Sequence, residues 1–285
     1  MTFEKETSYF GKECLFHDLK WYENYFRPEP GREEADIRGD VSPWYARLSK
    51  QSVQAAHRVL PHAQLILIIR NPIERAWSHA LMEFSRDPRR DLSCISDWRW
   101  MAHFDRLRQR WYGDYARTIE NWTAYYSPQQ LHVDLYERVS EDPDAMMRDV
   151  LNHIGADPNW MPPADSLHSR HWTIGEVTGG RSGGVELPDS LRWHLAKQWL
   201  EPTQRLNERL NGRVDHWVTQ MKQITARPVP LSWRAMRTAH RAVVRWPKRI
   251  AFVAYDTARE HRLSRAYQRI TPSARISSSP MALTT

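Results

Sequence analysis

Cysteine is nearly absent: Cys14 and Cys94 are the two in 285 residues. Two cysteines exclude a disulfide framework and a CxxC metal site, so two reduced thiols are expected. Long hydrophobic runs are also lacking. The longest aliphatic run, Leu65 to Ile69, has five residues, against the roughly 20 a membrane helix needs, and the mean hydropathy is −0.72. The opening stretch MTFEKETSYF has neither an apolar core nor a small-residue cleavage site, so no secretory signal is read and a cytoplasmic location is expected. No His/Cys cluster with metal-ligand spacing occurs, and no internal repeat. Glycine is sparse; its one rich stretch, Gly179-Gly180-Arg181-Ser182-Gly183-Gly184, reads as a loop over a site, and no GxxxxGK is present.

Charge is plentiful but uneven. Beyond residue 225 lie twelve Lys and Arg against Asp256 and Glu260. That segment carries +10 of a total of +7, which leaves residues 1–225 at −3. Pro228 and Pro230 mark a junction. The expected organisation is therefore a body over 1–225 and a basic helical extension over 226–285 with a disordered end. Leu231–Arg245 and Ile250–Ile270 have helical spacing. A basic amphipathic helix makes an anionic membrane surface a candidate partner through 226–275, and the location then becomes membrane-peripheral. No nucleic-acid-binding motif accompanies the charge, so nucleic acid is not expected as a partner.

The body alternates strand and helix. Ala63–Arg70 (AQLILIIR) is a short continuous apolar run, the pattern of a strand buried on both faces of a parallel sheet. Asn71-Pro72 then opens a helix over Ile73–Phe84, with Pro in the first turn where its missing N–H costs nothing. Leu131–Tyr136 is a second strand. Helices are expected at Pro43–Val59, Tyr112–Tyr126, Asp144–Ile154 and Pro188–Leu210. The alternation predicts an α/β domain with helices on both faces.

The most informative segment is Arg70-Asn71-Pro72-Ile73-Glu74-Arg75-Ala76-Trp77-Ser78. Arg70 closes a parallel strand, at the end of the sheet where open α/β folds bind ligands. The following helix start presents unpaired N–H groups and the positive end of its dipole, an anion site. Arg70 adds a bidentate fork suited to phosphate and Ser78 a hydroxyl donor. On the residues alone, Arg70 can equally be a strand terminator and Ser78 a solvated hydroxyl.

The string LILIIRNPIERAWSHALMEF is similar to the 3′-phosphate-binding segment of sulfotransferases that use 3′-phosphoadenylyl sulfate (PAPS). Other segments resemble that family in its order. Lys5-Glu6-Thr7-Ser8-Tyr9-Phe10 resembles its "KE…FF" stretch, and Lys20–Phe26 the "WY…F" that follows. Gly39-Asp40-Val41-Ser42-Pro43-Trp44-Tyr45 resembles its "GE.SP.Y" turn. Gly113-Asp114-Tyr115, Asn121-Trp122 and Leu135-Tyr136-Glu137 with Asp142-Pro143 fit its later helix and strand, and Leu206–Leu210, Gly212 and Trp217 its ending. The resemblance spans residues 3–217 and leans toward the carbohydrate O- and N-sulfotransferase branch, bacterial relatives included.

The resemblance implies a P-loop-NTPase-like sulfotransferase fold, a parallel sheet flanked by helices, and transfer of a sulfuryl group from PAPS to a hydroxyl or amino group of a carbohydrate, without a metal. It implies Glu6 as general base, Arg70 and Ser78 as ligands of the 3′-phosphate, Arg181 as a further cofactor-binding charge and Lys5 as a substrate-binding residue. Trp44, Trp98, Trp100 and Trp172 are candidates for stacking on sugar rings. The chain also departs from the family. The family's first strand and its Lys-x-Gly-Thr loop, which holds the 5′-phosphosulfate, precede the "KE" stretch and are not read here, so an N-terminally incomplete sulfotransferase domain over 1–225 is expected, from either a late-called start or a degenerate remnant. The Lys that glycosaminoglycan enzymes carry in the turn is Val41. The alternative expectation is a catalytically inactive remnant that acts as a binding protein through its basic tail.

Overall fold

The structure, a computed structural model, describes residues 6–27, 37–87, 89–162, 185–229, 231, 233–234, 245–270 and 281–284. Contacts divide the chain into two units: Met1–Ile69, Arg117–Ser169 and Tyr255–Thr285 in the first, Arg70–Ala116 and Arg170–Ala254 in the second.

The first unit holds a four-stranded, all-parallel sheet of β1 (Arg38–Val41), β2 (Gln64–Ile69), β3 (Leu131–Leu135) and β4 (Met281–Thr284), in the order β1-β4-β2-β3. Leu65 pairs with Leu131 and Ile69 with Leu135. Leu65, Ile66, Leu67 and Ile69 of β2 are all buried, as a continuous apolar run requires. Helices α1 (Leu19–Asn24), α2 (Lys50–Val59), most of α6 (Tyr115–Thr123, where a longer helix over Tyr112–Tyr126 was expected), α7 (Arg138–Glu141) and α8 (Pro143–Ile154) belong to this unit. The expected helix over Pro43–Val59 is instead a 3-10 turn, Pro43–Arg47, followed by α2, because Ser49 caps a new start by accepting from the Ser52 N–H. The core is aromatic: Tyr9, Phe10, Tyr22 and Tyr45 are fully buried, with the Tyr9 and Tyr22 rings stacked 4.6 Å apart. Such rings each remove ~150–250 Å² from water. Gly11 lies against Trp44; a Cβ there would sit 2.2 Å from the indole, so only glycine admits this approach.

Two features depart from the expected organisation. Residues 281–284, within the segment expected to be disordered, form β4 between β1 and β2, the central position that the resemblance assigns to the family's first strand. The basic extension is also not set apart after residue 225. Leu263 and Tyr267, one turn apart on α11 (Arg245–Gln268), are buried in the first unit's core. The Tyr267 hydroxyl donates to the Phe10 carbonyl and Arg259 to the Gly11 carbonyl, while Ser49 donates to Glu260 over 2.8 Å. Arginine density disguised this apolar stripe, since guanidiniums can serve backbone carbonyls as well as solvent.

The second unit is helical among its described residues. It contains α3 (Pro72–Ser85), α4 (Asp97–Phe104), α5 (Leu107–Gly113), α9 (Asp189–Arg209) and α10 (Asp215–Ala226). The spacing Ile73, Ala76, Ala80, Leu81, Phe84 gives α3 one apolar face, which packs in a core with Trp100, Phe104, Leu191, Leu195 and Trp199. No described helix is long and apolar enough to cross a membrane.

Candidate functional site

Sequence-singled residues fall in two constellations, one in each unit. In the second unit the chain leaves β2 at Ile69 and enters α3 after two residues. Asn71 makes that start: its side-chain oxygen accepts from the Ile73 N–H at 3.0 Å and its side-chain amide nitrogen donates to Gln220 over 2.8 Å, while Pro72 follows at the first helical position. Tyr115 pins the backbone of Arg70, its hydroxyl donating to the Arg70 carbonyl at 2.9 Å. The Arg70 guanidinium reaches along the helix to Glu74, 3.3 Å from both Nε and Nη2, with 31% of its side chain exposed. Glu74 and half-buried Ser78 are i,i+4 neighbours on one face of α3, and Arg70, two residues before the helix, reaches that face through its bond to Glu74.

Arg75 was not singled out from the sequence. It donates to the Gln109 carbonyl at 3.2 Å and lies over the Tyr112 ring at 5.7 Å, and its Nε is buried without a hydrogen-bond partner. Burial lowers its pKa, and the charge of Arg70 lowers it further, against the opposing pull of Tyr115 and Tyr112. Two guanidiniums close enough to repel, beside a helix N-terminus, form a cationic region in which Arg70 pairs with the surface carboxylate of Glu74. An exposed i,i+4 pair of this kind is worth only ~0.3–0.5 kcal/mol, so a phosphate dianion can displace it. The Arg–x4–Arg spacing was visible in the sequence, but nothing local distinguishes Arg75 there; its burial comes from Gln109 and Tyr112.

In the first unit Glu6 is exposed and its N–H donates to the Val41 carbonyl at 3.1 Å. Glu6 (φ 66°) and Ser8 (φ 51°) both adopt the left-handed region that side chains disfavour. Beside them Asp40, at the end of β1, is wholly buried. Its Oδ2 accepts from Thr7 and Tyr45 at 2.5 Å each and from Tyr22 at 3.3 Å; its Oδ1 accepts from Ser42 at 2.9 Å. Burial first, then the Asp40 charge, holds the Tyr22 and Tyr45 phenols well above their ordinary pKa, so both remain donors. Removing a carboxylate from water costs several kcal/mol even after relaxation, and four hydroxyl donors offset that here. The sequence places Asp40 in the turn that resembles "GE.SP.Y" but gives it no role, because its partners sit up to 33 positions away.

Lys5, Arg181 and Trp172 lie outside the described residues. Among the sugar-stacking candidates, Trp100 is 2% exposed in the second unit's core and has no face left for a sugar. Trp44 is flanked by the guanidiniums of Arg47 (4.1 Å) and Arg259 (5.4 Å). Trp98 is exposed. Among the described residues no cluster could hold a metal ion.

Comparison with known proteins adds sequence and structural likeness. A sequence model described as "Sulfotransferase family" matches residues 13–161. Bifunctional heparan sulfate N-deacetylase/N-sulfotransferase 4 of Mus musculus is 28% identical over 167 residues, 56% of this chain and 19% of that protein. The corresponding enzyme 3 of Homo sapiens is 26% identical over 167 residues, again 56% and 19%. The chain thus spans about a fifth of the length of these curated relatives. A sulfotransferase from Alicyclobacillus acidocaldarius shares the fold, with a TM-score of 0.57 at 20% identity, covering 76% of this chain and 87% of its own.

Proposed function

Because this chain belongs to the sulfotransferase family, we propose that it moves a sulfuryl group from PAPS to a hydroxyl or amino group of a carbohydrate. The observation that carries the reading is the cationic helix start. Arg70, pinned by Tyr115 just before α3, bonds Glu74 on the face that carries Ser78, and Arg75 stands near with an unpartnered Nε. These residues fit a phosphate: a charged fork, a second positive charge, a hydroxyl donor and a helix N-terminus. Arg70 and Ser78 would hold the 3′-phosphate of the nucleotide. PAPS, when bound, supplies an activated sulfuryl group with adenosine 3′,5′-bisphosphate as the leaving group.

Glu6 is the proposed general base. A sugar hydroxyl is a poor nucleophile near neutral pH, and a carboxylate within hydrogen-bond reach takes its proton as attack begins. An exposed carboxylate on a backbone tied to β1 can meet an incoming acceptor. Chemistry of this class relies on positioning and charge stabilisation, which rigid elements supply. The relatives named for heparan sulfate support a carbohydrate acceptor. Val41, where glycosaminoglycan enzymes carry Lys, is 43% exposed and leaves that turn without a positive charge, which favours an acceptor of low anionic charge at this position.

The test offers PAPS with two acceptors, N-deacetylated heparan sulfate and a neutral amino-sugar oligosaccharide, and follows adenosine 3′,5′-bisphosphate release and product mass. Sulfated product that requires Glu6 supports the reading; nucleotide bound but never consumed with either acceptor contradicts it.

A second reading concerns the surface of the first unit. Arg262, Arg265 and Arg269 line a groove of about 430 Å³ with Leu15, Ala266 and the exposed Phe16. Three guanidiniums over an apolar floor match an anionic lipid surface, where each Lys or Arg is worth ~1 kcal/mol. Vesicles rich in phosphatidylserine should retain the protein at low salt and phosphatidylcholine vesicles should not; equal retention by both contradicts this reading.

A further inference from the structure

We propose that Asp40 is a positioning residue that holds Glu6 in place through Thr7 and Ser42; the step from this clamp to turnover rests on the reading of Glu6 as general base. Residues 6–8 run beside residues 40–42 and are tied to them one by one. The Glu6 N–H donates to the Val41 carbonyl at 3.1 Å, the Thr7 hydroxyl to Asp40 at 2.5 Å, and the Ser8 N–H to the Ser42 hydroxyl oxygen at 3.0 Å. Ser42 can accept from Ser8 because its own proton goes to Asp40 at 2.9 Å. Asp40 therefore governs two of the three ties, one directly and one by orienting a hydroxyl.

The backbone shows why a clamp is needed. Glu6 and Ser8 both hold positive φ, 66° and 51°, with neither being Gly, Asn or Asp. Such residues persist only where their surroundings over-determine them, and they gather at functional sites. Thr7 lies between the two, and its hydroxyl is the side-chain anchor of the segment. Asp40 has no exposed surface, so it cannot touch an acceptor or a nucleotide; whatever it contributes must act through the groups it binds. A buried carboxylate is a costly way to fill a core. An ionised one accepts at both oxygens and donates nothing, which lets Thr7, Ser42, Tyr45 and Tyr22 all point inward together. Asparagine at this position would turn an N–H₂ toward one set of hydroxyls and break that arrangement without changing the volume.

The experiment compares the full chain with Asp40→Asn, Thr7→Val and Thr7→Ser. Amide hydrogen exchange is read across residues 6–15 and, as an internal reference, across β2. Thr7→Val keeps the shape and removes the hydroxyl, so it remains informative if Asp40→Asn fails to fold. The expected result is exchange at least tenfold faster over 6–15 in Asp40→Asn and Thr7→Val, with β2 unchanged, and wild-type exchange restored in Thr7→Ser. With PAPS and the responding acceptor, kcat should fall about tenfold to a hundredfold, the loss expected from an ångström-scale displacement, while KM for PAPS stays within twofold. Unchanged exchange over 6–15, or equal acceleration in β2, overturns the clamp. Faster exchange with kcat unaltered leaves the clamp standing and removes Glu6 from the chemistry, so the two readings fail separately.

Discussion

Asp40 at the end of β1 and Arg70 just beyond β2 are both charges at the carboxyl ends of parallel strands, and their surroundings are opposite. Asp40 is wholly buried and has four hydroxyl donors from Thr7, Tyr22, Ser42 and Tyr45. Arg70 keeps about a third of its side chain exposed, and its carboxylate partner, Glu74, sits on the helix surface at 3.3 Å. The first charge is satisfied in advance and organises backbone; the second is partly exposed and lies within repelling range of another guanidinium, Arg75. A fully compensated buried charge is suited to holding something still. A weakly compensated pair of positive charges at a helix start is suited to exchanging its partner for an anion.

The comparison is broken most severely by removing the group each side is proposed to serve. Glu6→Gln should lower sulfuryl transfer by roughly 10²–10⁴-fold, the range for loss of a general base, with an unchanged melting temperature because Glu6 is exposed. Ser78→Ala, on the arginine side, should weaken adenosine 3′,5′-bisphosphate binding about tenfold, the loss of one hydrogen bond to a charged group, and leave the first unit's hydrogen exchange as it was.

How much of this was legible in the sequence follows from where each partner sits. The step from β2 into α3 was readable because its causes are local: an apolar run, then Asn71 and Pro72, whose cap and first-turn roles the structure shows. β1 was read as a turn, since Arg38, Gly39 and Asp40 have neither apolar alternation nor β-branching; pairing makes it a strand. β4 was concealed because four residues after a Ser/Pro run are too short a pattern, becoming a strand only between β1 and β2. At the site, Arg70 and Ser78 were singled out by local cues, one closing the strand and the other lying in the helix that follows. Asp40 was not, because an isolated Asp in a turn looks solvated until residues 7, 22, 42 and 45 are seen to converge on it. The role of α11 was hidden by its arginines, although Leu263 and Tyr267 are one helical turn apart.

A smaller effect sharpens the contrast with Asp40 inside the same unit. His153 bonds the Leu65 carbonyl through Nε2 at 3.0 Å, and burial first, then the neighbouring His132, lowers its pKa below the ordinary 6.5. It is buried better neutral than charged. Above the ordinary value neither the folded nor the unfolded chain carries the proton. As pH falls below it the unfolded chain takes up the proton first, so stability declines. Melting temperatures at about pH 7.5 and about pH 5.5 should differ in that direction. His153→Gln, which keeps a donor for Leu65, should reduce the difference without abolishing it, since His57 is also lowered, by burial and then by His62. A difference unchanged in the variant would place the pH dependence elsewhere.

The smallest expected effect is on the arginine side. Glu74→Gln removes the surface partner of Arg70, worth ~0.3–0.5 kcal/mol, and should tighten adenosine 3′,5′-bisphosphate binding about twofold. Weaker binding would mean that Glu74 orients Arg70 and does not compete with the phosphate.

The most direct measurement is calorimetric titration of the protein with adenosine 3′,5′-bisphosphate and with adenosine 5′-monophosphate, on wild type and Arg70→Ala. The account predicts that wild type binds the bisphosphate at least tenfold more tightly than the monophosphate, as expected of charge-assisted bonds to the 3′-phosphate, and that Arg70→Ala abolishes this preference. Equal affinity of wild type for the two nucleotides, or a preference that survives Arg70→Ala, would contradict it.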